Sequence, residues 1–453
     1  MPRKKQTKTL DLCNKPVSGW EILKDRLTDI ESYNREYLAF LSRVKTEREA
    51  VVYFREAAKG RKDLVLVENR GKVVACCRKG RLPLGEGVRL VVAHIDSPRL
   101  DLKANPLYED VDFAMLKTHY YGGIKKYQWL ARPLAIHGVV ARQDGKLVEV
   151  AVGEDESDPC FTIEDLLPHL AQNVQYSKKL SDAFQGEKLN IIIGSRPDFE
   201  FKENKVKERV LGMLHDKYGI VEQDFVSADL EIVPAGPARE VGIDRSLVGG
   251  YGQDDRVCSW AAFAAARDAR NLPRTAISLL VDKEEIGSEG NTGAQSKFIE
   301  EVLWELGARF REEVVPSRAL YRSKAISGDA NGALDPDYPE VHEKNNAARM
   351  GYGVCITKFT GARGKVGSSE ASAEYMAFVR SILNRRGVPW QTGELGKVDE
   401  GGGGTVAKFL ATYGMDIVDM GPALLSMHSP FELSSKVDTF STYLAYRAFM
   451  EEE

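Results

Sequence analysis

The sequence predicts an α/β fold with a mixed central sheet flanked by helices, interrupted by an inserted, mainly β domain. After residue 243, short apolar runs alternate with helical periodicity, which is typical of a mixed or parallel sheet covered on both faces. Between about 105 and 237 the pattern changes to short β runs. Candidate metal ligands lie on both sides of that segment and not inside it. We therefore assign 1–104 and 238–453 to a catalytic domain and 105–237 to the insertion.

The first part of the chain predicts helices followed by strands. Apolar residues at helical spacing from Trp20 to Gly60 predict an amphipathic helix or helix pair packed on the main domain. Cys76 and Cys77 alternate across the second strand, so they face opposite sides and we interpret both as packing residues. The strand-like runs lie at 64–67, 73–77 and 88–92.

The remaining elements follow from the same signals. Asp144-Gly145 between two apolar runs predicts a β-hairpin. Periodicity predicts a helix from Lys205 to Tyr218. Further strands are predicted at 190–193, 275–281, 324–327 and 416–420, and further helices at 257–269, 292–306, 371–386, 405–413 and 438–450.

Composition excludes several classes of protein. The net charge is −4, with 43% hydrophobic and 29% charged residues, so the chain has no polyelectrolyte signature for nucleic acid or an acidic membrane. It has no apolar run near the roughly 20 residues of a spanning helix. The basic start Met1-Pro-Arg-Lys-Lys5 lacks the apolar stretch of a secretory signal. Six scattered cysteines without CxxC spacing suit a reducing compartment, so we expect a cytoplasmic protein.

The adjacent acids Glu284 and Glu285 are the strongest functional signal. They follow the apolar run 276–281, and like charges beside a buried strand are costly for folding. The pair makes sense if one carboxylate binds a cation and the other transfers protons to and from a water molecule. A solvated acidic turn is the alternative interpretation.

Other polar residues lie at strand ends, where ligands bind in open α/β sheets. His94 and Asp96 are two apart on one strand and share a face, so Asp96 can orient the imidazole toward a metal. Asp254 and Asp255 precede a helix that either could cap, but a two-metal site needs a bridging carboxylate, and we favour Asp254.

Asp329 and His428 complete the set of candidate ligands. A turn residue is the alternative for Asp329, and an unrelated histidine is the alternative for His428. Two other catalytic motifs are absent. His342-Glu343 lacks the second histidine of the zinc protease motif HExxH, and the sequence has no GxSxG motif of a serine nucleophile. The glycine run 401–404 has no P-loop lysine and indicates a close backbone approach near the active site.

Taken in order, five motifs resemble the aspartyl aminopeptidase and vacuolar aminopeptidase I family of cocatalytic-metal exopeptidases. The resemblance implies a zinc-exopeptidase-like fold, and it implies that the insertion is a dimerisation domain. The matching segments are Ala93-His-Ile-Asp-Ser-Pro98, Tyr251-Gly-Gln-Asp-Asp-Arg256, Asp282-Lys-Glu-Glu-Ile-Gly-Ser288, Ser327-Gly-Asp329 and Met427-His-Ser429.

The resemblance also implies roles for these residues. One ion would be held by His94, Asp254 and Asp329, and the second by Asp254, Glu285 and His428. Glu284 would be the general base. Zinc suits these ligands, and cobalt or manganese can occupy similar sets.

Two further residues enter through the resemblance. His169, in Leu167-Pro-His-Leu-Ala171, would reach a neighbouring subunit's active site in a tetrahedral dodecamer built from dimers. An ordinary histidine at a helix start is the alternative. Lys358 would contact the substrate side chain, but the Arg-Tyr pair of acid-specific members is missing after it. Acidic and neutral N-terminal residues therefore both stay open.

The sequence thus predicts a metal-dependent aminopeptidase that releases the N-terminal residue of short peptides through a hydroxide on the metal. The alternatives are a related two-metal amidase or carboxypeptidase, and a metal-stabilised assembly without catalytic function. Glu284 speaks against the last alternative, because structural metal binding needs no extra base.

Overall fold

A computed structural model describes residues 12–453, so the basic start of the chain lies outside the described residues. Its central sheet has eight strands, four of which run parallel next to one another in the middle: Ala276–Val281, Arg89–His94, Lys324–Ser327 and Asp416–Gly421. The outer strands are Val65–Asn69 and Val73–Arg78 on one side and Val354–Thr357 and Trp390–Thr392 on the other. The predicted mixed sheet is confirmed.

Helices cover both faces of this sheet and form two buried cores. Cys76 belongs to the core on one face and Cys77 to the core on the other, as the alternation predicts. One face packs against Leu27–Arg43, Glu47–Ala57, Gln253–Asp268, Ala373–Arg386 and Lys436–Met450. The opposite face packs against Phe298–Phe310, Pro316–Tyr321 and Ala407–Leu410. Among residues 12–453, no helix has both the length and the apolar character needed to cross a membrane.

A six-stranded sheet is built from the middle of the chain and has a core of its own. It contains the predicted hairpin and packs against the helix Lys205–Tyr218. Its first strand begins at Arg99, ahead of the predicted start of the insertion at 105, which itself stays a prediction. The strand order is Leu147–Val152, Leu134–Ala141, Ala228–Pro234, Arg99–Asp110, Phe113–Tyr121 and Ile191–Gly194.

A five-stranded sheet, whose strands alternate in sequence with those of the central sheet, carries two loops of the site. Asp254 and Asp255 have non-helical backbone angles at the start of the helix Gln253–Asp268, so the segment around Asp254 is a loop that follows the strand Leu247–Gly250. The loop around His428 connects Ala423–Leu425 with Glu432–Ser435. The other two strands are Arg239–Val241 and Asn331–Gly332. The remaining short helices are Gly19–Ile22 and Leu180–Ala183.

Two predicted helices differ most from the observed ones, one in where it begins and the other in how much of it is α-helical. The helix predicted at 292–306 runs from Phe298 to Phe310, because Thr292 instead donates its hydroxyl to Asp282 and Gln295 donates its N–H to the carbonyl of Ser288. These contacts hold the preceding segment against the Glu284 turn. The helix predicted at 405–413 is α-helical only at 407–410 and continues as a 3₁₀ turn.

We expect the core beneath His94 to be essential for stability. Leu90 is fully buried on the His94 strand, so Leu90→Ala should lower the free energy of unfolding by about 2–5 kcal/mol, because it leaves a cavity. Leu147→Ala, at an exposed position, should change it by less than about 0.5 kcal/mol. Urea titration followed by tryptophan fluorescence measures both, and equal losses would contradict this assignment of the core.

Candidate metal centre

The candidate site is a cavity of about 280 Å³ at the carboxyl ends of the parallel strands. His94 is the last residue of its strand, and Asp329 lies two residues beyond the end of Lys324–Ser327. Glu284 and Glu285 begin a short 3₁₀ helix just after the neighbouring strand. All four line the cavity, so the strand ends bring together residues that are distant in sequence.

Two groups of side chains are close enough to hold a divalent cation each. His94, Asp254 and Asp329 form one group, and Asp254, Glu285 and His428 form the other. Within each group, one ligand atom per residue lies within 4.8 Å of the others. The shared member is Asp254.

The carboxylate of Asp254 lies between the two imidazoles. Its Oδ1 is 3.6 Å from Nε2 of His94, and its Oδ2 is 3.1 Å from Nε2 of His428. The same nitrogen of His428 is 3.4 Å from Oε2 of Glu285. One oxygen of Asp254 thus faces each group, which is the arrangement that a bridging carboxylate requires.

Two buried oxygen atoms indicate that this site is built for cations. Oδ1 of Asp254 and Oε1 of Glu285 are buried and have no hydrogen-bond partner. A buried carboxylate oxygen without a partner is costly, and a bound cation would satisfy it. Imidazole and carboxylate ligands are those that zinc accepts, so the residues present fit a zinc centre.

Main-chain carbonyl groups orient both imidazoles. Nδ1 of His94 donates to the carbonyl oxygen of Asp96 at 3.0 Å, and Nδ1 of His428 donates to that of Gly123 at 3.0 Å. Since a carbonyl can only accept, each Nδ1 carries the hydrogen and each Nε2 is left to bind an ion. The carboxylate of Asp96, the predicted partner of His94, lies slightly farther away at 3.3 Å.

The buried carboxylate of Asp96 holds the turn that carries the two glutamates. It accepts the main-chain N–H of Glu284 at 3.1 Å and that of Glu285 at 3.2 Å. The hydroxyl of Tyr121 donates to it at 2.8 Å. Asp96 therefore links the end of the His94 strand to the glutamate turn. Sequence analysis missed both Tyr121 and Gly123, because neither has a local motif.

Burial and neighbouring charges shift the acid–base properties of these groups. Burial raises the pKa of Glu284 to about 7, and the charges of Asp96 and Asp254 add to this effect against the opposing imidazoles. Burial also raises the pKa of Asp329 above its usual range. The pKa of Asp254 is lowered, because the nearby imidazoles of His428 and His94 outweigh burial.

The structure places the other two predicted site residues outside this cluster. His169 is exposed in the short turn Pro168–Leu170 and does not line the cavity of its own chain. Lys358 is exposed as well, whereas its neighbours Thr357 and Phe359 line the cavity, as alternation along an extended segment dictates. The roles of His169 and Lys358 stay predictions.

The cavity has further lining residues that sequence analysis did not select. Its wall includes the cations Arg363, Lys365 and Lys397 and the acid Glu394. The glycine run 401–404 also lines it, and Gly402–Gly403 pairs with Gly361–Ala362 as a small ribbon. A Cβ on Gly402 would meet the carbonyl oxygen of Gly361, so this ribbon requires the close backbone approach that the glycine run indicates.

The α/β fold and the two ligand groups define a metal-dependent hydrolase. Comparison with known proteins identifies its kind, since the family model of the aminopeptidase I zinc metalloproteases (M18) matches residues 53–450. The chain belongs to the M18 family and is a metal-dependent aminopeptidase. This family membership favours the aminopeptidase over the amidase, carboxypeptidase and non-catalytic alternatives.

Individual relatives agree with this assignment. A probable M18 family aminopeptidase 1 of Clostridium acetobutylicum is 49% identical over 462 residues, covering 97% of this chain and 99% of the relative. The crystal structure of an M18 family aminopeptidase from Thermotoga maritima has a TM-score of 0.93 at 46% identity, covering 97% of this chain and 100% of the other.

A more distant structure shares the fold alone. It is the mApe1 dodecamer of S. cerevisiae, with a TM-score of 0.74 and 20% identity over 93% of this chain and 97% of the other.

We expect ion binding to release protons. Burial raises the pKa of Glu285, with Asp254 adding to it, whereas for His428 the bond to Asp254 overcomes burial and raises the pKa to about 10. The imidazole of His428 therefore carries a second proton at neutral pH, and the raised pKa of Glu285 favours its protonated form, whereas an ion needs the deprotonated forms of both. Because protons compete with the ion, zinc affinity should fall as the pH falls from about 8 to about 6.

Calorimetric titration with zinc in buffers of different ionisation enthalpy counts the released protons. The observed enthalpy should change linearly with the buffer's ionisation enthalpy. An enthalpy independent of the buffer would show that no proton is released and would contradict the prediction.

Proposed function

We propose that this aminopeptidase binds two divalent ions per chain, most simply zinc, and releases the N-terminal residue of short peptides with Glu284 as the general base. The observation that carries the proposal is the position of Asp254, whose two oxygens face two separate ligand groups in one cavity. A site for one ion would need only one of these groups.

The ions, when bound, would polarise the peptide carbonyl and make a water molecule more acidic. His94 and Asp329 would hold one ion and Glu285 and His428 the other, with Asp254 between them. Asp96 has a supporting role, since it orients the glutamate turn and lies beside the His94 imidazole. Each of these side chains is held by the fold before substrate arrives, which favours catalysis by pre-organisation.

Glu284 is suited to proton transfer because it lines the cavity without belonging to either ligand group. Burial beside Asp96 and Asp254 raises the pKa of its carboxyl group, so this carboxylate takes a proton from the attacking water more readily than an ordinary glutamate would. The same oxygen would then give that proton to the nitrogen of the leaving amine. A neighbouring carboxylate that is committed to an ion could not do both.

We further propose that chains associate through the segment around His169 and that this histidine completes a neighbour's site. The segment exposes the apolar side chains of Leu167, Leu170 and Tyr176, which favours contact with another chain. By analogy with the dodecamer of the S. cerevisiae structure, we propose that dimers of this chain assemble into a tetrahedral dodecamer. There the imidazole of His169 would stabilise the oxyanion of the tetrahedral intermediate. A particle of that kind would admit short peptides and exclude folded proteins.

Two finer points are part of the proposal. Lys358 is the proposed contact for an acidic substrate side chain, with neutral residues such as leucine as the alternative preference. Cobalt or manganese could replace zinc, because carboxylate and imidazole ligands accept them too. Activity in the cytoplasm stays a prediction.

The first experiment is hydrolysis of the nitroanilides of aspartate, glutamate, leucine and alanine. Chelation should abolish cleavage and zinc should restore it, while Glu284→Gln should retain the ions and lose about 10²–10⁴-fold in rate, because it removes the base. Glu289→Gln, an exposed glutamate in the same turn region, is the matched control and should retain activity. The ratio of the aspartate to the leucine rate decides the substrate preference.

Full activity of Glu284→Gln at normal metal content would contradict the role of the base. Cleavage of a peptide with a blocked N-terminus would contradict exopeptidase action. A single bound ion at full activity would contradict the two-ion site.

His169→Ala should lower turnover and leave the metal content unchanged, because this histidine lies outside both ligand groups. His215→Ala, at an exposed position on the helix Lys205–Tyr218, is the control and should have no effect. Mixed assemblies of His169→Ala and Glu284→Gln chains, isolated through two different tags, should regain activity. In them a site with an intact Glu284 can receive His169 from its neighbour.

Mixed assemblies that are no more active than the separate variants would show that His169 does not act between chains. An unchanged turnover of His169→Ala would remove its catalytic role altogether.

A further inference from the structure

Glu432 is a buried acid that the proposed reaction does not use. It is the first residue of the strand Glu432–Ser435 and is 1% exposed. That strand lies between Leu247–Gly250 and Ala423–Leu425 in the five-stranded sheet, with Glu432 directly opposite Gly250. Glu432 therefore lies where the loop around Asp254 and the loop around His428 meet.

Each oxygen of Glu432 is bonded to one of these loops. Oε2 accepts the main-chain N–H groups of Gln253 and Asp254, the latter at 3.2 Å, and Oε1 accepts the main-chain N–H of His428 at 2.7 Å. Among residues 12–453, no lysine, arginine or histidine forms an ion pair with Glu432. Three backbone N–H groups are thus the partners that stabilise this carboxylate in the interior.

The backbone of the His428 loop needs such support. Ser426 has φ of 57° and His428 has φ of 64°, a left-handed conformation that residues with a Cβ adopt at a cost. Such residues keep this conformation only when their surroundings hold it. The bond from His428 N–H to Glu432 is one such constraint, and the bond from its ring to Gly123 is another.

We propose that Glu432 is a positioning residue for the second ligand group, which comprises Asp254, Glu285 and His428. Its two oxygens hold the backbones of Asp254 and His428 at a set separation, so that the facing ligand atoms of the two side chains are in place before an ion binds. This inference rests on the proposed two-ion site. The first group depends on Glu432 only through Asp254, since His94 and Asp329 are carried by the central sheet.

The test is Glu432→Gln, which keeps the size of the side chain and replaces one accepting oxygen by an NH₂ group that cannot accept an N–H. Zinc titration against a competing chelator, with ions per chain counted by mass spectrometry, should show that one of the two ions binds with an affinity close to that in the wild type. The affinity for the other ion should fall about 10–100-fold, as expected for loss of a group that orients a ligand. Activity should recover at high zinc, with the half-activating zinc concentration raised by the same factor.

Asp438→Asn is the matched control. Asp438 is a fully buried carboxylate that accepts the main-chain N–H groups of Gly351 and Gly353, and it is not in either ligand group. Its variant should lower the thermal midpoint and leave both zinc affinities unchanged. Should Glu432→Gln fail to fold, Glu432→Asp keeps the carboxyl group on a shorter side chain and should lower the affinity for the same ion.

Three results would overturn the role of Glu432. They are unchanged zinc affinities in a folded Glu432 variant, an equal loss for both ions, and the same selective loss in Asp438→Asn. A wild-type chain that binds two ions alongside any of these results leaves the two-ion function intact. A wild-type chain that binds one ion overturns both proposals.

Discussion

The carboxylate of Asp254, held between two imidazoles, is the constraint on which the rest of the site depends. Nε2 of His94 and Nε2 of His428 lie 3.6 and 3.1 Å from its two oxygens, and these histidines come from different sheets. A shift of the central sheet against the five-stranded sheet would change the distance from Asp254 to His94 and leave its distance to His428 unchanged. The buried packing between the two sheets therefore has to position these ligand atoms as precisely as the binding of an ion requires.

Gathering so many acids in one cavity opposes folding. Burial raises the pKa values of Glu285 and Asp329, so their charged forms are disfavoured where they lie. Bound cations would reverse this penalty and stabilise the folded chain by mass action. The side chains that hold the site without binding an ion, Asp96 and Glu432, are both buried and accept backbone N–H groups. They restrain the loops on which the like charges lie.

The six-stranded sheet is in physical contact with the metal centre. Tyr121 ends one of its strands and donates to Asp96, and Gly123 two residues later accepts from the ring of His428. The six-stranded sheet thus orients one imidazole and supports the glutamate turn.

The sequence by itself determined the α/β class, the hairpin, the helix Lys205–Tyr218 and the candidate ligands at the strand ends. These signals are local, since apolar periodicity and turn residues act within a few positions. Tertiary structure alone decided that Gly123, 305 residues before His428, orients its ring, and that Glu432 joins two loops. The helix predicted at 292–306 begins at Phe298 instead, because contacts with the glutamate turn hold the residues before it in another conformation. A hydrogen bond between distant residues leaves no periodic trace in the sequence, because it depends on how whole sheets pack together.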